Sequence, residues 1–375
     1  MKVVIAIDSF KGSLSSMEAA AVIKSAIHKV KSTADVVIKP LADGGEGTTD
    51  SLTLGLGGEK IPVTVTGPLG EPVHTYYGYI KESQTAIMEM ASAAGITLLK
   101  ESERNPLKTT TRGVGEMILH AIELGARNFI IGIGGSATND GGIGMLQALG
   151  WQFLDTGGNA VGEGAQALSN IHTIDSSKVG RQVLTCNYKI ACDVTNPLCG
   201  PNGATYIYGP QKGVTDEWLK TLDLAMENYA AVTSQYTHTF HQNTEGAGAA
   251  GGMGFAFLSY LNAKLVPGVA LILNAIHLED DVKDADIVIT GEGRLDHQTA
   301  MGKAPIGVAK LAKKYNTKVI AFAGSVTSDA AACNDAGIDA YFPIVRGITT
   351  LEEAMKPENA AANLSDTVEQ VFRLL

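Results

Sequence analysis

Short aliphatic runs alternating with amphipathic stretches dominate both ends of the chain. KVVIAI (2 to 7) predicts a buried strand, MEAAAVIKSAIHKV (17 to 30) repeats its apolar positions at helical spacing, and DVVIKPLA (35 to 42) predicts a second strand. The same alternation returns near the other end. ADIVITGEGRLD (285 to 296), KVIAFAGSV (318 to 326) and AYFPIV predict three strands, joined by helices over APIGVAKLAKKY (304 to 315) and DAAACNDAGI. These intervals leave the dozen or more residues that a parallel crossover needs. The middle has a different pattern. KIPVTVTGPLGEPVHTYYGYI (60 to 80) alternates and is broken by Gly-Pro and Gly-Glu-Pro, which predicts an antiparallel ribbon, and ATYIYGPQKG (204 to 213) reads the same way. The expected class is therefore α/β: a discontinuous Rossmann-like parallel-sheet domain over 1–60 and 283–375, with a second, mixed α/β domain inserted over 61–282. A ligand cleft is expected between them.

Inside the inserted region, Val114, Met117, Ile118, Ala121 and Ile122 share one face of a helix, and NFIIGI (128 to 133) predicts a buried strand. Between that strand and the helix of GMLQALG lies GIGGSATNDGGIG (132 to 144), with six glycines in thirteen positions. Glycine loses more freedom on folding than any other residue, so something must approach this backbone closely. Strand-to-helix turns are where open α/β proteins bind ligands, and bare amide groups at a helix start suit an anion. Gly134 and Gly135 could cradle phosphate, Ser136, Thr138 and Asn139 could add hydrogen bonds, and Asp140 could cap the helix or reach a metal. A capped turn without a ligand is the competing reading.

Composition narrows the classes. A hydrophobic fraction of 45% with 18% charged residues describes a globular chain, and the net charge of −10 argues against nucleic acid or an anionic membrane as partner. No stretch reaches the roughly 18 to 20 apolar residues of a membrane span, and the first apolar run is too short for a signal segment. Cys186, Cys192, Cys199 and Cys333 show no metal-finger spacing and read as free thiols, so a cytoplasmic location is expected.

Five turns combine small residues with carboxylates: DSFKGS (8 to 13), DGGEGT (43 to 48), GGSATNDGG (134 to 142), DVTNPLCGPNG (193 to 203) and TGEGRLD (290 to 296). Most follow predicted strands and could gather at sheet edges. So many carboxylates imply a cation. Magnesium, which takes one or two carboxylates and otherwise binds water and phosphates, fits such loops, and Lys11 and Lys303 are placed to meet phosphate. Asp193 ends the strand NYKIACD and is a candidate to accept a hydroxyl proton, or an Asx-turn cap. The chain has no P-loop and no nucleophile elbow. One G-x-G-x-x-G occurs at Gly246, Gly248 and Gly251, outside the βαβ context that a dinucleotide fold requires. A nicotinamide-dependent dehydrogenase and a non-catalytic sugar-acid or nucleotide sensor are the alternatives.

AIDSFKGSLSS, PLADGGEGT, IGGSATNDGGIGMLQALG, ACDVTNPLCG, GAGAAGG and TGEGRLDHQTAMGKAP occur in this order across nearly the whole chain. Together they resemble the characteristic blocks of the bacterial glycerate kinase type-1 family. That resemblance implies a flavodoxin-like domain with a second α/β domain, and phosphorylation of D-glycerate by ATP with Mg²⁺. It implies 2-phosphoglycerate as product, with the 3-isomer as the alternative. Joined to the residue reading, it suggests Asp193, Lys11 and Asp8 as catalytic, and Gly134, Gly135, Ser136, Thr138, Asn139, Gly291, Gly293 and Lys303 around the nucleotide phosphates. Ser9, Arg294, Asp296 and Asn196 are then the expected glycerate contacts, and Asp43, Glu46, Asp140 and Glu292 the expected metal ligands. The oligomeric state is left open, a homodimer included.

Overall fold

The computed structural model describes residues 1–42 and 47–375. Its strands, in chain order, are β1 (Lys2–Ile7), β2 (Asp35–Pro40), β3 (Glu59–Thr66), β4 (Pro72–Ile80), β5 (Thr85–Glu89), β6 (Asn128–Gly132), β7 (Gln152–Leu154), β8 (Thr173–Asp175), β9 (Asn187–Ala191), β10 (Lys264–Val266), β11 (Ile287–Leu295), β12 (Lys318–Val326) and β13 (Ala340–Pro343). The chain divides into two compact units. One comprises Met1–Asp43, Asp50–Gly57 and Val269–Leu375, and the other Gly44–Thr49 and Gly58–Gly268.

The first unit is built on a five-stranded sheet in the order β13-β12-β11-β1-β2, with every pair parallel. Numbered within the unit, that is the flavodoxin-like order 2-1-3-4-5. The chain runs from β1 to β2 on one side and resumes on the other side at β11, so the topological switch point lies between β1 and β11. A parallel sheet is buried on both faces, which explains the continuous aliphatic runs. Val3, Ile5, Ile7, Ile289 and Phe322 pack with Ala19, Ile23 and Ile27 of the helix Ser16–Val30, and with Leu364, Val368 and Phe372 of the helix Pro357–Leu374. The alternate positions Val4, Ala6, Val288, Val319 and Ala321 are fully buried as well.

The helix Ser16–Val30 starts where it does because Ser15 and Glu18 cap each other. The Ser15 hydroxyl oxygen accepts the Glu18 amide at 3.3 Å, and the Glu18 carboxylate accepts the Ser15 amide at 2.9 Å. The Ser15 bonds, its backbone amide foremost, hold the Glu18 carboxyl below the usual range. Ser15→Ala is expected to cost about 1 kcal/mol. A lower urea midpoint with an unchanged slope is the measurement that checks it.

The second unit carries a six-stranded mixed sheet in the order β10-β9-β6-β5-β4-β3. β3, β4 and β5 pair antiparallel, while β5, β6, β9 and β10 pair parallel. Tyr229, from the long helix Asp216–Thr237, meets Phe153 and Phe255 edge-on in its core. One parallel and one mixed sheet give the α/β class expected from the sequence. One local expectation fails. Residues 204–213 form the helix Ala204–Tyr208 and a 3₁₀ turn, Pro210–Lys212, in place of strand structure. The β-branched and aromatic side chains that suggested a strand are used for tertiary contacts: Thr205 accepts from Asn139 at 3.0 Å, and Tyr208 donates to Asn196 at 2.6 Å.

Candidate functional site

At the switch point of the first unit, the carboxyl ends of β1 and β11 are tied together by the Asp8 amide, which donates to the Gly291 carbonyl at 2.9 Å. Gly291 is indispensable to that junction. A Cβ there would collide with the Phe322 carbonyl oxygen on β12. Beyond Asp8 the chain makes a tight turn closed by reciprocal bonds between Phe10 and Leu14, at 2.8 and 3.1 Å, and Gly12 adopts a left-handed φ of 77°. This turn lifts Lys11 to the surface while burying Phe10.

The loop after β11 is fixed by its own carboxylates. Asp296 caps the short helix His297–Ala300 by accepting the Thr299 amide at 3.1 Å, and the Thr299 hydroxyl donates to Glu292 at 2.6 Å. Arg294 is held loosely, with its Nε 3.7 Å from Asp296. Lys303 stands at the start of the helix Ala304–Lys313. These elements enclose a cavity of about 490 Å³. Asp8, Ser9, Lys11, Glu292, Gly293, Arg294, Asp296 and Lys303, all named from the sequence, line it together. Three cations and three carboxylates thus meet at the carboxyl edge of a parallel sheet, an arrangement that could hold an anion with oxygen donors beside it. Gly291 lies in the β11 backbone and serves its close approach to β12.

In the second unit, the glycine-rich turn is organised around a residue the sequence reading missed. Lys212 is fully buried, and its Nζ donates to Ser136 Oγ and to the Thr138 carbonyl, both at 2.6 Å. Burial pushes its ammonium down to about 7, a shift that the nearby Asp140 charge opposes. Asp140 is itself fully buried. It accepts from the Thr111 amide and hydroxyl at 2.9 and 2.8 Å, and from the Gly142 and Gly144 amides at 3.0 and 3.3 Å. Burial raises its carboxyl, while the Thr111, Gly142 and Gly144 donors pull it back. Asp140 thus plugs the start of the helix Ile143–Ala148 from within.

Gly141 and Gly142 of this turn, and the glycines packed against it, answer a packing demand, whereas a Cβ on Gly134 would meet nothing. A Cβ on Gly251 would strike the Thr138 carbonyl, and one on Gly248 the Pro197 carbonyl. Gly141 and Gly142 face Tyr229 and Ala256 at similarly short range. Gly251 and Gly252, at the end of the G-x-G-x-x-G stretch, thus lie backbone to backbone against 138–141, where the Gly141 amide donates to the Gly251 carbonyl at 2.9 Å. Ser136, Thr138 and Asn139 are buried in it, and Gly134 and Gly135 are exposed.

Asp193 accepts the Gly268 amide at 2.8 Å. Asn196 is engaged in its own loop, donating to the Asn202 carbonyl at 2.9 Å and accepting from Tyr208. Asp43 and Glu46 lie outside the described residues. Among the described residues, no group of three or more His, Cys, Asp and Glu side chains is gathered as a metal cluster, and no helix is long and apolar enough to cross a membrane.

The model of the glycerate kinase family matches residues 3–375. The chain belongs to the glycerate kinase family. It is 49% identical over 371 residues to a Bacillus subtilis (strain 168) glycerate kinase, covering 99% of this chain and 97% of that protein. It is 47% identical over 356 residues to the Escherichia coli (strain K12) glycerate 2-kinase, covering 95% and 93%. A crystal structure from Salmonella typhimurium LT2, provisionally assigned as glycerate kinase 2, superposes with a TM-score of 0.92 at 45% identity, covering 100% of this chain and 98% of that one. As a member of this family the protein is an enzyme of the kinase class, and Gly246, Gly248 and Gly251 need no dinucleotide to explain them.

Proposed function

We propose that the protein transfers the terminal phosphoryl group of ATP to D-glycerate, and that the product is 2-phosphoglycerate. The observation that carries this reading is the cavity at the β1/β11 switch point, where Lys11, Arg294 and Lys303 share one enclosure with Asp8 and Glu292. The family supplies the reaction class, and the relative named glycerate 2-kinase supports attack from O2.

Phosphoryl transfer leaves little covalent work for the protein, so catalysis rests on positioning and charge neutralisation. Lys11 neutralises charge building on the transferred group. The Arg294 fork suits a carboxylate and holds that of glycerate, with Lys303 as the second cation. Asp8 and Glu292 are hard oxygen donors in the number that magnesium commonly takes from protein, and they fit that ion. Mg²⁺, when bound, neutralises phosphate oxygens and fixes their orientation. The buried Phe10 keeps water from one side of the cavity.

Asp193 remains our proposed proton acceptor. Asp193→Asn keeps an oxygen for the Gly268 amide and removes the basic carboxylate. A roughly 10²-fold fall in kcat at unchanged Tm is expected; an unchanged kcat would leave Asp193 with its structural bond alone.

The product tests the proposal. In ³¹P NMR, a phosphate on O2 couples to the single C2 proton and gives a doublet, which is expected. A triplet would place the phosphate on O3, and no new phosphate ester would overturn the function.

A further inference from the structure

The lining of the switch-point cavity is mixed. Beside the charged groups already described it includes Phe10, Ile344 and Ala360, which are buried in the core of the unit, and Leu351, Ala354 and Met355 of one short helix, which keep apolar surface open to a ligand. Glycerate is a three-carbon acid with an oxygen on every carbon. It has no apolar surface to offer Leu351, Ala354 and Met355, and it is far smaller than the ligands that occupy pockets of about 300 to 1,000 Å³. A volume of about 490 Å³ therefore calls for a larger occupant with an apolar part.

Two further observations mark where that part belongs. Leu351 keeps 76% of its surface exposed at the start of the short helix Leu351–Met355, which Thr350 caps by accepting the Glu353 amide at 3.2 Å. An aliphatic side chain held in water on an ordered element gains if a ligand covers it. The Ser13 hydroxyl also lines the cavity, and its oxygen is buried with no hydrogen-bond partner. Leaving a hydroxyl so is costly, and a ligand bond would relieve it. Ser13 follows Gly12, where a Cβ would come within 2.8 Å of the Met355 methyl, so the turn that carries Ser13 packs against the helix Leu351–Met355.

We infer that this apolar helix face is the nucleoside subsite for the phosphate donor: the base lies against Leu351 and Met355, and the Ser13 hydroxyl bonds to the ribose or to the base edge. The inference rests on the kinase reading above and adds to it the side of the cavity from which the donor's phosphates reach Lys11. A phosphate donor has one flat, largely apolar portion, its base, and the cavity presents this one apolar helix face.

Leu351→Asp tests this at a position too exposed to endanger folding. Titration with ADP in the presence of Mg²⁺, followed by calorimetry, is expected to show at least a tenfold weaker affinity than in the unchanged protein. The control is Ile348→Asp, which puts the same charge on the adjoining loop outside this cavity and is expected to leave ADP affinity within twofold. Ser13→Ala is expected to weaken ADP by a further, smaller factor of about three. Unchanged ADP affinity in Leu351→Asp, or equal losses in both aspartate variants, would overturn the subsite. Neither result would touch the kinase reading, which fails separately if the unchanged protein releases no ADP in response to glycerate.

Discussion

Lys11→Met is expected to lower kcat by roughly 10²- to 10³-fold, the range found when one preorganised charge-stabilising donor is removed from an active site. The fold should survive, because the side chain is exposed at the tip of a turn closed by the backbone bonds of Phe10 and Leu14. The loss should fall on kcat more than on either KM, since the charge that Lys11 meets is greatest on the group in flight. Lys11→Arg keeps the charge but changes its shape and hydration, and should recover only part of the rate. Initial rates at saturating ATP and glycerate, with Tm measured alongside, decide the matter. A kcat within threefold of the unchanged protein would remove Lys11 from the proposed chemistry.

The second large effect is on stability. Lys212→Met removes the donor to Ser136 Oγ and to the Thr138 carbonyl, both in the buried turn beside Asp140. Leaving a buried hydroxyl and a buried carbonyl without their donor costs roughly 1 to 3 kcal/mol each. At about 2 to 4 °C per kcal/mol, the Tm of the second unit should fall by on the order of 10 °C. The sign of the pH dependence follows from the burial of Lys212. Its pKa in the fold, about 7, lies below the unfolded value of about 10.4, so between these limits the unfolded chain holds a proton that the native state has released. The Lys212 contribution to stability therefore rises with pH across that window and is least below pH 7. The raised carboxyl of Asp140 acts with the opposite sign, beginning above the ordinary carboxylate range. Thermal melts of both proteins from pH 7 to 10 check this: the gap between them should change with pH, and a constant gap would mean that Lys212 keeps an ordinary pKa.

Much of the first unit was legible because its signals are local. The aliphatic runs of β1, β2, β11 and β12 need only be apolar on both faces, and Ser15 with Glu18 is a capping box written in four consecutive residues. Asp8, Lys11, Glu292 and Arg294 were visible because they follow such runs directly, where a parallel sheet presents its ligands. The second unit hides its logic in contacts between distant segments. The turn at 134–142 resembles an anion cradle in isolation; that Gly141 and Gly142 also clear Tyr229 and Ala256, and that Gly251 and Gly252 lie against Thr138 and Gly141, is announced by no local pattern. Asp140 reads from the sequence as suited to a metal or to a cap, and the capping bonds reach it from Thr111, almost thirty residues upstream, where no local pattern points. Lys212 was overlooked for a related reason. A lysine beside Gly213 in a polar turn reads as surface charge, and its burial follows from where the helix Ala204–Tyr208 delivers it, a helix that strand-like residues concealed.

The most direct test of the proposed reaction is ADP release by the purified protein supplied with ATP and Mg²⁺, followed with and without D-glycerate. Release that depends on D-glycerate, saturates with its concentration and matches the glycerate consumed is the expected result. ADP release that is indifferent to D-glycerate, or absent at every concentration, would contradict it.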